Sequence, residues 1–200
     1  MLGLLIKDLF NARKQAVWYV AMIVVFCILS AAIDNIAFCA TIGILVAVSM
    51  PLTAVAYEEK DGWQKFIVAS GTGIKTIVAE KYLLGILFAL FSAAGYAIVF
   101  SLSGVQANQA AEFIAPVCMQ FIALSVVLPI IFAFGVERGR VYMVVLIVIV
   151  MAALVGLMPI LGDAIGGSQL IFTVSIACAT VFLLIASFVI SVKIYSKKEF

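Results

Sequence analysis

Histidine is missing from this 200-residue chain altogether. Its absence removes the commonest general base and the commonest metal ligand in one step. Charge is scarce as well: 11% of residues are Asp, Glu, Lys or Arg against 66% hydrophobic, and the mean hydropathy is +1.31. That composition lies far outside the range of soluble domains of this size, so the solvent of the fold is lipid. The net charge of +2 is too small to suggest nucleic acid as a partner. The four cysteines, Cys27, Cys39, Cys118 and Cys178, stand singly in or beside apolar runs without a CxxC pair. They read as reduced packing residues, so neither a metal site nor a disulfide framework is expected. No Gly-Lys pair occurs anywhere, so Ser70-Gly71-Thr72-Gly73-Ile74-Lys75-Thr76 is not a phosphate-binding loop. The chain itself is expected to bind no cofactor and to do no enzymatic chemistry; ATP and magnesium, if used, belong to another polypeptide.

What the sequence does contain is six apolar runs, at roughly 16–33, 36–56, 82–103, 113–135, 141–160 and 169–192, none holding an Asp, Glu, Lys or Arg. Each approaches or exceeds the ~20 residues with which an α-helix crosses the hydrocarbon core. The expected fold is an all-α integral membrane domain over residues 1–200 with six transmembrane helices, and a signal peptide is not expected. Orientation follows from the basic residues, which are retained on the cytoplasmic side. With the N-terminus inside, all twelve Lys and Arg fall in the cytoplasm, while Asp34, Glu112 and Asp163 fall outside. Both termini are then cytoplasmic in a prokaryotic plasma membrane. Over 1–15, Leu2, Leu5, Ile6, Leu9 and Phe10 repeat at helical spacing with Lys7, Asn11 and Lys14 elsewhere on the wheel, as in a short helix lying along the inner membrane surface. Pro51 and Pro129 sit within spans as candidate kinks, whereas Pro116 reads as a first-turn proline and Pro159 as an end.

The long inner connector, 57–81, carries the most information. It reads Tyr57-Glu58-Glu59-Lys60-Asp61-Gly62-Trp63-Gln64-Lys65-Phe66, then a Ser70-Gly71-Thr72-Gly73 break, then a second helical pattern from Ile74 to Lys81. The expectation is helix, turn, helix. Glu58, Glu59 and Asp61 head the first pattern, and Trp63 and Phe66 share a face that either docks a partner or rests in the membrane interface.

This apolar second span running into Tyr-Glu-Glu-Lys-Asp-Gly-Trp, followed by Ile-Val-Ala-Glu-Lys-Tyr-Leu-Leu-Gly at Ile77 to Gly85, resembles the small type-2 ABC exporter permeases. It is most similar to the branch that includes the phenol-soluble-modulin exporter permease. The resemblance implies that Tyr57, Glu58, Glu59, Asp61, Gly62, Trp63 and Phe66 form a coupling helix seated in a groove of a separate ATPase subunit. It also implies two ATPase copies and a second permease copy or a paralogous permease, with amphipathic or hydrophobic cargo, peptides first, moved outward. The break has Gly71-Thr72-Gly73 where many relatives carry a proline.

Two other classes fit less well. An ion-coupled secondary transporter or channel ordinarily places ionisable residues at mid-membrane, and these runs have none. An intramembrane hydrolase needs an activated nucleophile beside a base, which a chain without His or span-embedded Lys, Asp or Glu does not supply.

Overall fold

The computed structural model describes residues 2–11, 13–33, 37–63, 73–102, 110–142, 144–145, 148–149 and 169–197. Among these residues all regular structure is helical: α1 (Leu2–Asn11), α2 (Arg13–Ile33), α3 (Ala37–Lys60), α4 (Ile74–Leu102), α5 (Ala110–Phe134) and α6 (Gln169–Ser196), with a further helical stretch opening at Val136. Helix is the answer lipid imposes, because a backbone without water must satisfy its own N–H and C=O groups. Among the described residues five helices, α2 to α6, are long and apolar enough to cross a membrane. The run expected at 141–160 lies largely outside the described residues, although 141, 142, 144, 145, 148 and 149 are helical.

Two expectations change at the ends of α3 and α4 that flank the connector. Tyr57 to Lys60 closes α3 instead of opening a separate helix, because nothing between Pro51 and Gly62 breaks the pattern. The break comes at Asp61-Gly62, where Gly62 adopts a φ of 65° that other residues avoid. Likewise Ile74 to Lys81 is not a short connector helix but the opening of the 29-residue α4. The polar ends of the connector are thus rigid continuations of two spans. Pro116 also differs from expectation: α5 begins at Ala110, which puts this proline inside the helix with Pro129.

α3 is the enclosed element, with Ile42, Ile44, Val46, Ala47, Val48 and Met50 all buried. Its Ile44, Val48 and Leu52 pack against Ile77 and Val78 of α4 and Leu124, Val127 and Leu128 of α5, and α6 closes this cluster through Tyr195. On the other flank, Ile23 of α2 joins Met50 of α3 and Leu84 and Phe88 of α4. α2 and α6 turn apolar faces outward, where Trp18 and Phe182 are 72% and 73% exposed, as expected of surfaces that meet lipid or another subunit.

Lipid tails give helices no hydrophobic reason to associate, so close packing and polar contacts must hold them. Both are present. Gly85 of α4 lies where a Cβ would come within 2.5 Å of Leu124 and 3.0 Å of Pro51, and a Cβ on Gly43 would overlap the Gln120 amide. Gln120 Oε1 in turn accepts the Ser92 hydroxyl at 2.8 Å. The Tyr82 hydroxyl shares hydrogen bonds with Ser187 (2.5 Å) and Ser191 (2.8 Å), and Ser187 donates to the Ser125 carbonyl, joining α4, α5 and α6.

Replacing Gly85 by Val should therefore lower stability by about 1–3 kcal/mol through overpacking. Thermal unfolding of the detergent-solubilised variant checks this, and the midpoint should fall relative to a Gly3→Val control, since a Cβ at Gly3 meets nothing within 4 Å.

Candidate coupling site: a buried ion cluster

The final turn of α3 carries Glu58 and Glu59, and carboxylates are disfavoured at a helix C-terminus by the partial negative charge of its free carbonyls. Each finds a partner elsewhere. Glu58, 3% exposed, accepts hydrogen bonds at Oε1 from Lys7 Nζ of α1 (2.7 Å) and Lys81 Nζ of α4 (2.9 Å). Glu59 Oε2 accepts the backbone N–H of Val136 at 3.2 Å, so it neutralises the N-terminus of the helical stretch that follows Gly135. That glycine, at φ 81°, ends α5 and lets a new helix begin at once.

Lys81 is the hub. Its ammonium pairs with Asp8 Oδ2 of α1, with Glu58 and with Glu80 Oε2 (2.9 Å), while Lys7 also reaches Asp8 Oδ1 at 3.0 Å. The oxygens of Asp8, Glu58 and Glu80 lie within 4.8 Å of one another. Such crowding of like charge is tolerable because the Lys81 ammonium contacts all three. Burying each ion costs several kcal/mol, which only close pairing offsets. Burial pushes the Asp8 pKa up, but the neighbouring Glu80 carboxyl and the charges of Lys81 and Lys7 outweigh it and hold this carboxyl below its ordinary value. The cluster ties three helices that are remote in sequence: Lys81 is 73 positions from Asp8 and 23 from Glu58.

A family model described as ABC-2 family transporter protein matches residues 3–196, nearly the whole chain. The chain belongs to the ABC-2 transporter family. No curated protein and no solved structure matches it. An ABC-2 transporter protein with several apolar helices is a multi-pass membrane protein, and membership points to the permease subunit of an ABC transporter and, in general, to a partner ATPase subunit. The resemblance noted in the sequence is thus borne out at the level of ABC-2 permeases.

In this ABC-2 protein the residues expected to form one docking face divide. Glu58 points inward and is committed to Lys7 and Lys81. Glu59 is exposed but tied to Val136. Asp61, Gly62 and Trp63 are exposed around the turn, with the Lys7 ammonium 5.3 Å from the centre of the Trp63 ring. Half-buried Tyr57 joins Lys7, Asn11, Glu58, Asp61 and Trp63 around a cleft of about 230 Å³. Phe66 lies outside the described residues. Pro51 is buried and Pro129 half-buried, each within a continuous helix.

Asp8, Glu80, Lys7 and Lys81 are not among the site residues expected from the sequence, although Lys7 and Lys81 enter the orientation argument and Glu80-Lys81 stands in the motif that carries the resemblance. Two signals were there to find. Asp8 is the single acidic residue of the otherwise largely apolar α1, and Glu80-Lys81 stands immediately before a charge-free span.

Replacing Lys81 by Met leaves three crowded carboxyl groups around an apolar side chain and should cost roughly 3–5 kcal/mol, the usual penalty for removing one partner of a buried ion cluster. Denaturant titration in mixed micelles reads this loss, and Lys75→Met, on an exposed lysine, should change little. Acid should weaken α1 docking: with its folded pKa lowered, Asp8 contributes stability that is present above its unfolded value of ~3.9 and lost as pH falls through the folded value. Limited proteolysis near Asn11 across an acid titration follows this, with Asp8→Asn abolishing that part of the dependence.

Proposed function

We propose that this chain is the permease subunit of an ATP-driven exporter in a prokaryotic plasma membrane, moving an amphipathic or hydrophobic cargo, peptides first, out of the cell. It works as a pair, with a second copy or a paralogous permease, and two ATPase subunits serve the pair. In this reading six spans leave both termini in the cytoplasm and α1 lies along the inner face, which the exposed Ile6, Leu9 and Phe10 support.

One observation carries this reading beyond family membership. The polar turn at Asp61–Trp63 extends directly from α3, and α3 is cross-braced to α4 by Glu58 and Lys81 just inside the connector. A load applied at the turn moves two spans together instead of bending a loose loop. ATP-driven closure of the ATPase pair then displaces α3 and α4 as a unit, and different affinities for cargo in the inward and outward shapes set direction. The apolar walls of the spans suit an amphipathic cargo.

The second reading, an ion-coupled secondary transporter or channel, gains one observation, the buried carboxyl groups of Glu58 and Glu80. They sit at the ends of their spans and are engaged by lysine, which is not the mid-membrane placement such transport ordinarily uses. Cargo movement by the purified chain in vesicles lacking any ATPase would favour it.

Because Glu58 faces the interior, the docking test belongs on the exposed turn. Asp61→Lys combined with Trp63→Ala should reduce co-purification of the ATPase subunit at least tenfold while leaving membrane insertion and melting temperature unchanged. Undiminished capture together with normal ATP-driven export by the double variant would refute the docking assignment. Reversing Glu58 should instead destabilise the protein, which the same melting measurement separates from a docking defect.

A further inference from the structure

The charges at the junction of α1, α3 and α4 do not cancel. Asp8, Glu58 and Glu80 bring three carboxyl groups, and Lys7 and Lys81 bring two ammonium groups. Among the described residues no third cation pairs with the cluster. Fully ionised, it would hold one negative charge in excess. Asp8, Glu58, Glu80 and Lys81 are all at most 3% exposed, so water cannot disperse that charge, and an uncompensated buried charge is neutralised by a proton in preference to being kept.

Geometry places the proton. Among the described residues neither oxygen of Glu80 has a hydrogen-bond partner; its one ion pair is with the Lys81 ammonium, and one of its oxygens lies within 4.8 Å of one on Asp8. Two carboxyl groups hydrogen-bond to each other only when one of them holds a proton. Asp8 is also engaged by both ammonium groups, which makes it the ionised acceptor of the pair.

We infer that Glu80 is a proton-binding site, and that the proton it holds balances the cluster and is donated in a hydrogen bond to Asp8, fastening α1 to α4. When that proton leaves, two facing carboxylates and an unbalanced charge remain, and α1 loosens from the inner ends of α3 and α4. The titratable groups beside Glu80 or its partners are Lys7 and Asp8 from α1, Tyr57 and Glu58 from α3 and Lys81 from α4, and Tyr195 of α6 lies in electrostatic range of Glu58, Glu59 and Lys81. The inference stands independently of the exporter reading, since it needs only the contacts within this chain.

Infrared difference spectroscopy of the full chain in lipid nanodiscs at neutral pH tests it, because the C=O stretch of a protonated carboxyl is resolved from carboxylate bands. The wild type should show one such band that is lost in Glu80→Gln, whose amide keeps the shape and donor of the protonated acid. The band should also be lost in Glu58→Gln, which removes the excess negative charge without touching Glu80. Both variants are nearly isosteric, and their folding is checked by helical circular dichroism and monodisperse elution; the Glu80→Gln result alone decides if Glu58→Gln fails that check. A wild type without the band, or a band that survives in either folded variant, would overturn the inference.

Discussion

The ammonium of Lys81 holds together what the hydrophobic pattern alone would leave separate. Placed among Asp8, Glu58 and Glu80, it converts three crowded carboxyl groups from a source of repulsion into a joint between α1, α3 and α4. Apolar packing explains how α3, α4 and α5 associate deep in the membrane, but it does not fix the polar ends of α3 and α4, where the apolar runs have finished. At that level the ion cluster sets the geometry, with Glu59 extending the connection to the helical stretch at Val136.

The spans were the legible part of the fold, because a charge-free run near the length of a bilayer has few alternatives. Helix ends were less so. The helical pattern from Ile74 was legible, but the change of composition at Tyr82 hid that it runs on into the span as one helix, since lipid partitioning marks where a chain becomes apolar and not where its hydrogen-bond ladder begins. The same mismatch hid the closing turn of α3, read as connector because Tyr57 to Lys60 is polar. Local hydrogen bonding continued through both junctions, and among the described residues it breaks off after α3 at Asp61-Gly62.

Candidate site residues were legible by type but not by direction. Glu58, Glu59 and Asp61 form one acidic group in the sequence, yet the helix turns Glu58 inward, ties Glu59 to a backbone amide and leaves Asp61 outside. Adjacent positions on a helix point about 100° apart, so a run of like residues seldom shares a single role. Asp8 was harder still, because its partner Lys81 is 73 positions away and no local pattern joins them. An isolated acid in a short, otherwise largely apolar helix is the feature to heed in comparable chains.

The central claim is that Lys81 fastens α1 to the N-terminal end of α4. The distance between spin labels placed at Leu9 on α1 and Leu83 on α4, both exposed positions, measures this directly in reconstituted protein. The account predicts a single narrow distance distribution in the otherwise native chain that broadens when Lys81 is replaced by Met. A broad distribution from the outset, or a narrow one indifferent to that replacement, would contradict it.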